Sequence, residues 1–327
     1  MKRVLLIVFI QIFVFSIKAY SQSADISKIN IPKDIKAINC ITIENDNIIW
    51  VGTNKGLLKV VDSTVTVFYD IKKPAKYKIN KITIDDSGVK WLGTYQSSII
   101  RFEDFETAEE ISFLEKTDNK FQLISSISNY KDDILVTTSE GLIIKYNHKL
   151  KSSISVSSPT STTIYSSLFD GNGNFWICTS EGLFSKSISV DWKKEKMMRI
   201  AYGIYRKNDE FWAAGRGSDD KTIIMLLFTQ PGVFKKEQSV WQELILEGLP
   251  NSYARINYLS FDIAEMIWIA SGESILMYNP FVGSAREICS QPLYPFKEVS
   301  VISCQGDSEN LIWFVANGNE LYKLIYR

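Results

Sequence analysis

Eight side chains in this sequence could recognise a ligand, because each falls in a short polar segment beside a predicted strand. Tyrosine and arginine are favoured at recognition surfaces, and lysine and glutamine add further hydrogen-bonding groups. Taken alone, each is more often an ordinary surface residue than a ligand contact, and the chemistry that they share is binding without a covalent step. The candidates are Lys55, Tyr77, Tyr95, Gln96, Arg199, Arg216, Tyr253 and Arg255.

The single histidine, His148, is the only residue on which a Ser–His–Asp or Cys–His site could be built. It stands among Tyr146, Asn147 and Lys149, a context typical of a hairpin turn, and no G-x-S-x-G motif occurs in the chain. One histidine also excludes a zinc site rich in histidine. We therefore predict no catalytic residue, no metal site and no cofactor.

The charge balance and the cysteine spacing argue against a nucleic-acid-binding protein and against a metal or redox centre. The chain has 37 basic and 37 acidic residues with no run of several like charges, so the basic face of a nucleic-acid-binding protein is missing. None of the four cysteines forms a CxxC pair, which argues against a metal or redox centre. Cys40, Cys178 and Cys304 lie in apolar strand patterns, where cysteine behaves as a small buried hydrophobe. A Cys40–Cys304 disulfide remains an alternative.

Residues 1–21 have the pattern of a secretory signal peptide. Lys2 and Arg3 precede an apolar run over residues 4–17, and the small residues Ala19 and Ser21 suit signal peptidase. We predict cleavage before Gln22 and a periplasmic or secreted protein with no membrane span. A retained anchor is the alternative, although the run is short for about 30 Å of hydrocarbon.

One pattern recurs seven times along the mature chain at steps of about 40 residues, apart from one longer step. A period of this size is typical of solenoids, propellers and arrays. Leu135 takes the place of tryptophan in the third copy. The clearest copies are Ile-Trp-Val-Gly-Thr at 49–53, Lys-Trp-Leu-Gly-Thr at 90–94 and Phe-Trp-Ile-Cys-Thr at 175–179, and the looser ones centre on Trp212, Trp268 and Trp313.

Each repeat consists of an alternating strand, a polar turn, the tryptophan strand, a glycine turn, a third strand and a polar outer strand. Four antiparallel strands per unit are the pattern of a propeller blade, whose faces are covered only by stacking on its neighbours. We therefore predict an all-β, seven-bladed β-propeller over residues 22–327 as a single domain. Gly52 and Gly93 are predicted to let neighbouring blades approach, and Gly56, Gly141 and Gly182 to adopt positive φ.

The last repeat ends straight after its third strand, which leaves its outer strand missing. Residues 24–31 precede the first inner strand and belong to no other unit. We predict that this N-terminal strand completes the last blade and closes the ring, because closure removes exposed sheet edges.

The repeats at 38–57, 79–94 and 165–183 resemble the two-component-regulator propeller repeat, whose pattern is roughly I-x-x-I-x-x-D-x-x-G-x-[IL]-W-[IV]-G-T-x-x-G-[IL]. The resemblance extends over nearly the whole mature chain and is weakest in the last three repeats. It implies a periplasmic, ligand-binding, sensor-type β-propeller. Sensors of this family usually carry two propellers, a further β-domain, a membrane helix and a kinase, whereas this chain has one propeller.

These features together favour an exported, non-catalytic binding module. Its loop face would recognise a glycan, a peptide or an envelope protein, because loops on a rigid scaffold are free to vary. Two alternatives stay open at this level: an extracellular polysaccharide lyase or hydrolase, and a structural component of an envelope complex. An enzyme would require convergent, perturbed ionisable groups in a deep pocket.

Overall fold

The computed structural model describes residues 24–68, 77–103, 108–113, 122–169, 174–187, 190–195, 198–207, 210–217, 222–230, 238–244, 258–289, 296–304 and 311–326. Within these ranges the chain forms 28 strands and no helix. Accordingly, none of the described segments is an apolar helix of membrane-spanning length. The predicted signal peptide lies outside the described residues.

Six sheets are each built from four strands that follow one another along the chain. The first sheet contains β2 (Ile38–Asn45), β3 (Ile48–Thr53), β4 (Gly56–Val61) and β5 (Thr64–Phe68). The second contains β6 (Ile79–Ile84), β7 (Lys90–Thr94), β8 (Ser98–Phe102) and β9 (Glu109–Ser112). The third contains β10 (Ile124–Tyr130), β11 (Asp133–Thr138), β12 (Ile143–Asn147) and β13 (Ser152–Val156). The fourth sheet contains β14 (Ile164–Phe169), β15 (Phe175–Thr179), β16 (Gly182–Lys186) and β17 (Lys193–Glu195). The fifth contains β18 (Ile200–Lys207), β19 (Glu210–Arg216), β20 (Thr222–Gln230) and β21 (Gln238–Leu244). The sixth contains β22 (Tyr258–Phe261), β23 (Ile267–Ser271), β24 (Ser274–Asn279) and β25 (Ser284–Cys289).

A further sheet joins the two ends of the described chain. It contains β26 (Val299–Ser303), β27 (Leu311–Ala316), β28 (Glu320–Tyr326) and β1 (Ala24–Ile29), in the order β1-β28-β27-β26. β1 runs antiparallel to β28, from Ala24 opposite Tyr326 to Ile29 opposite Leu321. The predicted all-β propeller arrangement of four-stranded antiparallel blades is confirmed.

The core lies between the sheets, where the repeated tryptophans are buried. Trp50, for example, packs with Leu57 of its own sheet and with Ile79 and Leu92 of the next sheet. An aromatic side chain buries about 150–250 Å², which at about 25 cal/mol per Å² corresponds to roughly 4–6 kcal/mol. Contacts of this kind therefore hold the sheets together.

The polar turn after several inner strands also satisfies the buried indole. Trp91 Nε1 donates to Asp85 Oδ2 at 2.9 Å, and Trp268 Nε1 donates to Asp262 Oδ2 at 2.7 Å. Trp50 Nε1 donates in the same way to the Glu44 carboxylate. In each case the acid stands six residues before the tryptophan, so the repeat encodes both the buried ring and its acceptor.

Neighbouring inner strands are linked by side-chain hydrogen bonds close to a recurrent β-bulge. The bulge interrupts the pairing of β2, β6, β10, β14, β18 and β26 with their second strands. Asn39 Nδ2 donates to the Ile79 carbonyl at 2.8 Å, and Asn80 Nδ2 donates to the Ile124 carbonyl at 2.6 Å. A bulge re-aims a side chain, and here it turns the amide towards the next sheet.

Two glycines mark close approach between sheets, as predicted. A β-carbon on Gly52 would lie 2.5 Å from Cys40 Sγ and 2.9 Å from Ile79 Cγ2 of the next sheet. A β-carbon on Gly93 would lie 2.7 Å from Ile124 Cγ2, also in the next sheet. The turn glycines Gly56, Gly141 and Gly182 have positive φ, which confirms the second glycine prediction.

The Gly93 contact gives a test of packing between sheets. We expect Gly93→Ala to lower the free energy of unfolding by about 1–3 kcal/mol, because the added methyl overpacks the junction. In an Ile124→Ala background the same substitution should cost less than half as much, since the clashing methyl is gone. Urea unfolding of the four proteins measures this coupling, and strictly additive costs would contradict it.

Candidate functional site

The loop face consists of the turns between second and third strands together with the segments that lead into the inner strands. Backbone hydrogen bonds tie these two sets of loops to each other. Asn54 N donates to the Ala37 carbonyl at 3.1 Å, and Tyr95 N donates to the Lys78 carbonyl at 3.2 Å. Equivalent bonds join Ser139 to Leu123, Ser180 to Thr163 and Arg199 to Arg216.

Four predicted binding residues occupy the loop face in the first two sheets. Lys55 is exposed and pairs with Asp34 at 3.1 Å. Tyr77 donates its hydroxyl hydrogen to Glu110, and burial together with that carboxylate raises the pKa of Tyr77 to about 12. Tyr95 is half-buried beneath the ammonium of Lys78, which lies 5.6 Å from the ring centroid, and burial raises its pKa. Gln96 follows at the same turn, where its backbone N–H donates to Thr94 Oγ1 at 3.0 Å.

The remaining candidates divide into two pairs. Arg199 N donates to the Arg216 carbonyl at 2.8 Å, so these residues are neighbours on the loop face of the fifth sheet. The Arg199 side chain is exposed, and Arg216 is partly buried. Tyr253 and Arg255 lie outside the described residues.

His148 sits at the opposite end of its sheet, in the turn between β12 and β13. Its Nε2 is 3.8 Å from Asp132 Oδ1, and its ring lies 5.8 Å from Trp91. Its partners are therefore a turn carboxylate and a core indole. No group of three or more His, Cys, Asp or Glu side chains suitable for a metal ion occurs among the described residues.

A cavity of about 510 Å³ runs between the inner strands, and all seven of them contribute to its lining. Most of the lining residues come from the half of each inner strand that leads to the second strand, away from the loop face. The polar ones are Thr42, Lys81, Thr83, Ser126, Ser128, Asn129, Tyr165, Ser166, Ser167, Tyr202, Tyr205, Arg206, Tyr258, Ser260 and Ser303.

Among the described residues, the cavity wall has basic side chains and no acidic ones. Lys81 and Arg206 line it, and no Asp or Glu does so within the part of the wall that is described. Burial lowers the pKa of Lys81, against a smaller opposing influence from Cys40. Glu44 and Asp85, which lie at or just beyond the ends of two inner strands, accept hydrogen bonds from the buried indoles of Trp50 and Trp91 and do not line the cavity.

Tyrosines form one side of the cavity. The Tyr165 and Tyr202 rings lie 5.9 Å apart, and the Tyr205 and Tyr258 rings lie 6.0 Å apart. Burial raises the pKa of Tyr258 to about 12 and raises that of Tyr205 as well. These two phenols are therefore neutral at physiological pH and present aromatic faces and hydrogen-bonding hydroxyls.

Sequence reasoning missed this cavity, although the repeat contains a signal for it. By strand register Lys81 stands where the first and third repeats have Cys40 and Ser126, so one repeat places a charge where others have a small neutral side chain. In the fifth repeat the residues six and five positions before Trp212 are Arg206 and Lys207 instead of an acid. Correspondingly, Trp212 Nε1 is buried without a hydrogen-bond partner among the described residues.

No protein-family model matches this sequence, and no curated protein matches it. Solved structures do resemble it. A virginiamycin B lyase from Staphylococcus aureus has a TM-score of 0.72 at 15% identity, covering 93% of this chain and 99% of the lyase. A streptogramin B lyase has a TM-score of 0.74 at 14% identity, covering 95% of this chain and 100% of that one.

A third similar structure is the extracellular domain of a putative hybrid two-component system from B. thetaiotaomicron. It has a TM-score of 0.66 at 18% identity, and the match covers 91% of this chain and 40% of that one. This chain therefore corresponds to less than half of that extracellular domain. Identities this low show a shared propeller fold, found both in lyases and in a sensor's extracellular domain.

The four cysteines give a direct test of the core. All are buried and free, and burial raises the pKa of the Cys40 and Cys289 thiols to about 12. Because the thiolate is the reactive form, we expect the native mature protein to be inert to a thiol reagent at pH 8. Unfolding without reductant should release four reactive thiols. Release of only two would instead support the Cys40–Cys304 disulfide.

Proposed function

We propose that this chain is an exported, non-catalytic binding module of the sensor type, which recognises a glycan, a peptide or an envelope protein through its loop face. The observation that carries the proposal is the set of backbone hydrogen bonds that fix the two kinds of loop to each other in successive sheets. They hold Tyr95 and Arg199 on a rigid frame, and preorganised aromatic and cationic groups lower the entropic cost of binding.

The sensor-type assignment rests on two supports. The repeat resembles that of two-component-regulator propellers, and the extracellular domain of a two-component system shares the fold. Export to the periplasm or beyond follows from the pattern of residues 1–21 and agrees with both supports.

The frame that we propose is a closed ring of seven blades. The Val299 N–H donates to the Gly272 carbonyl at 2.7 Å between the last two sheets, and the Ile38 N–H donates to the Gly318 carbonyl at 2.8 Å between the last sheet and the first. One hydrophobic cluster contains Ile29 together with residues of both sheets. The junction between the two chain ends is thus built like the junction before it.

Ring closure is tested on β1. We expect Ile29→Ala to cost about 2–5 kcal/mol of unfolding free energy, whereas Ser27→Ala, at an exposed position of the same strand, should cost little. Hydrogen exchange in the Ile29→Ala protein should quicken in both β28 and β2, because Ile29 packs on both sheets. Faster exchange in β28 alone would argue for an open ring.

Binding through the loop face is tested with residues 22–327 on a glycan array and in pull-downs from envelope extracts. Once a ligand is found, we expect Tyr95→Ala and Arg216→Ala each to weaken it at least tenfold, because aromatic and arginine side chains dominate recognition energies. Lys149→Ala is the matched control, since Lys149 is exposed in the turn beside His148 at the other end of its sheet. Unchanged affinity in both loop-face variants, with unchanged melting temperatures, would refute the proposal.

A further inference from the structure

The central cavity contains a cation that no described residue neutralises. Lys81 lines the cavity, and none of the ion pairs or hydrogen bonds of the described residues involves its side chain. Lys81 is partly buried, and a charge withdrawn from water is normally paired or bound to a ligand. By contrast, the buried Lys90 pairs with Glu44 at 3.0 Å, so an uncompensated lysine is not a general feature of these strands.

Asp85 and Asp262 each follow an inner strand of the cavity but do not line it. Asp85, just beyond the end of the strand that carries Lys81, accepts hydrogen bonds from Trp91 Nε1 and from the backbone of Ser87 and Val89. Asp262 accepts bonds from Trp268 Nε1 and from Met266 N. Their carboxylates complete the blades, and neither of them faces Lys81 across the cavity wall.

A second polar group points to a missing ligand. Ser128, on β10 beside the strand that carries Lys81, is 7% exposed and lines the cavity. Its Oγ has no hydrogen-bond partner among the described residues. A buried hydroxyl without a partner loses its hydration and gains nothing in return. Rotation about the Cα–Cβ bond of Ser128 would turn this hydroxyl towards a ligand oxygen in the cavity.

The next two inner strands supply an aromatic surface to the cavity. Tyr165 on β14 and Tyr202 on β18 both occupy the bulge position of their strands and line the cavity with their rings 5.9 Å apart. Aromatic rings accept the flat faces of other rings. The cation, the hydroxyl and the tyrosines therefore follow one another on the adjacent strands β6, β10, β14 and β18.

We propose that the central cavity is a binding site for a small organic carboxylate whose ring presents a flat face. Lys81 would pair with the carboxylate, Ser128 would donate to one of its oxygens, and Tyr165 and Tyr202 would cover the ring. The volume of about 510 Å³ falls within the range of roughly 300–1,000 Å³ typical of small-molecule sites. This site is separate from the proposed loop-face site.

The test uses calorimetry on residues 22–327 with two pairs of probes: sodium glucuronate against glucose, and sodium benzoate against benzyl alcohol. The first pair represents sugar acids and the second represents aromatic acids. We expect one acid to bind and its neutral counterpart to bind at least tenfold more weakly, because only the acid pairs with Lys81.

Variants distinguish binding at Lys81 from binding elsewhere on the protein. Lys81→Met should weaken the acid at least tenfold, Lys81→Arg should retain most of the binding, and Lys55→Met, on the loop face, should leave it unchanged. Removing a buried, unpaired charge relieves its desolvation cost, so Lys81→Met should melt at the same or a higher temperature without ligand. Tyr95→Ala and Arg216→Ala should bind the acid normally, which distinguishes failure of this site from failure of the loop face.

Two results would overturn the proposal. One is that neither acid binds more tightly than its neutral counterpart at concentrations up to tens of millimolar. The other is that Lys81→Met binds the acid within twofold of the unaltered protein while its melting temperature is unchanged.

Discussion

The structure depends on contact between the faces of successive sheets. A four-stranded sheet has two faces and too few residues to cover either one. The tryptophan side chains of one sheet are therefore buried by packing against the next sheet. Trp50 shows the arrangement, since its neighbours include Ile79 and Leu92 from the following sheet. Gly93 shows how closely the sheets approach, because the following sheet leaves no room for a β-carbon at this position. Order in one sheet therefore requires order in its neighbours.

The β-bulge of the inner strands has two roles: it links neighbouring sheets, and it places side chains in the cavity. In the first two sheets the bulge places Asn39 and Asn80, which bond to the next inner strand and tie the sheets together. In the fourth and fifth sheets the same bulge places Tyr165 and Tyr202, whose rings line the cavity. Packing between faces tolerates this change, because the bulged residue does not belong to the buried face.

The fold was largely predictable from the sequence, whereas the cavity was not. A period of about 40 residues and buried tryptophans reflect packing that repeats, so the all-β architecture and the close approach at Gly52 and Gly93 could be inferred. A cavity between the inner strands collects residues that are remote in sequence, and Lys81 gains significance only when Ser128 and Tyr165 are seen to line the same cavity. Similarly, Tyr77 was predicted to lie on the loop face, but nothing near it in the chain identified Glu110 as its partner.

The pairing of β1 with β28 also determines when the protein can finish folding. Ser27 bonds to the Lys323 carbonyl, a separation of 296 residues. β1 therefore stays unpaired until β28 has been synthesised. Contacts of such long range form slowly, so the pairing of β1 with β28 is expected to be a late step of folding.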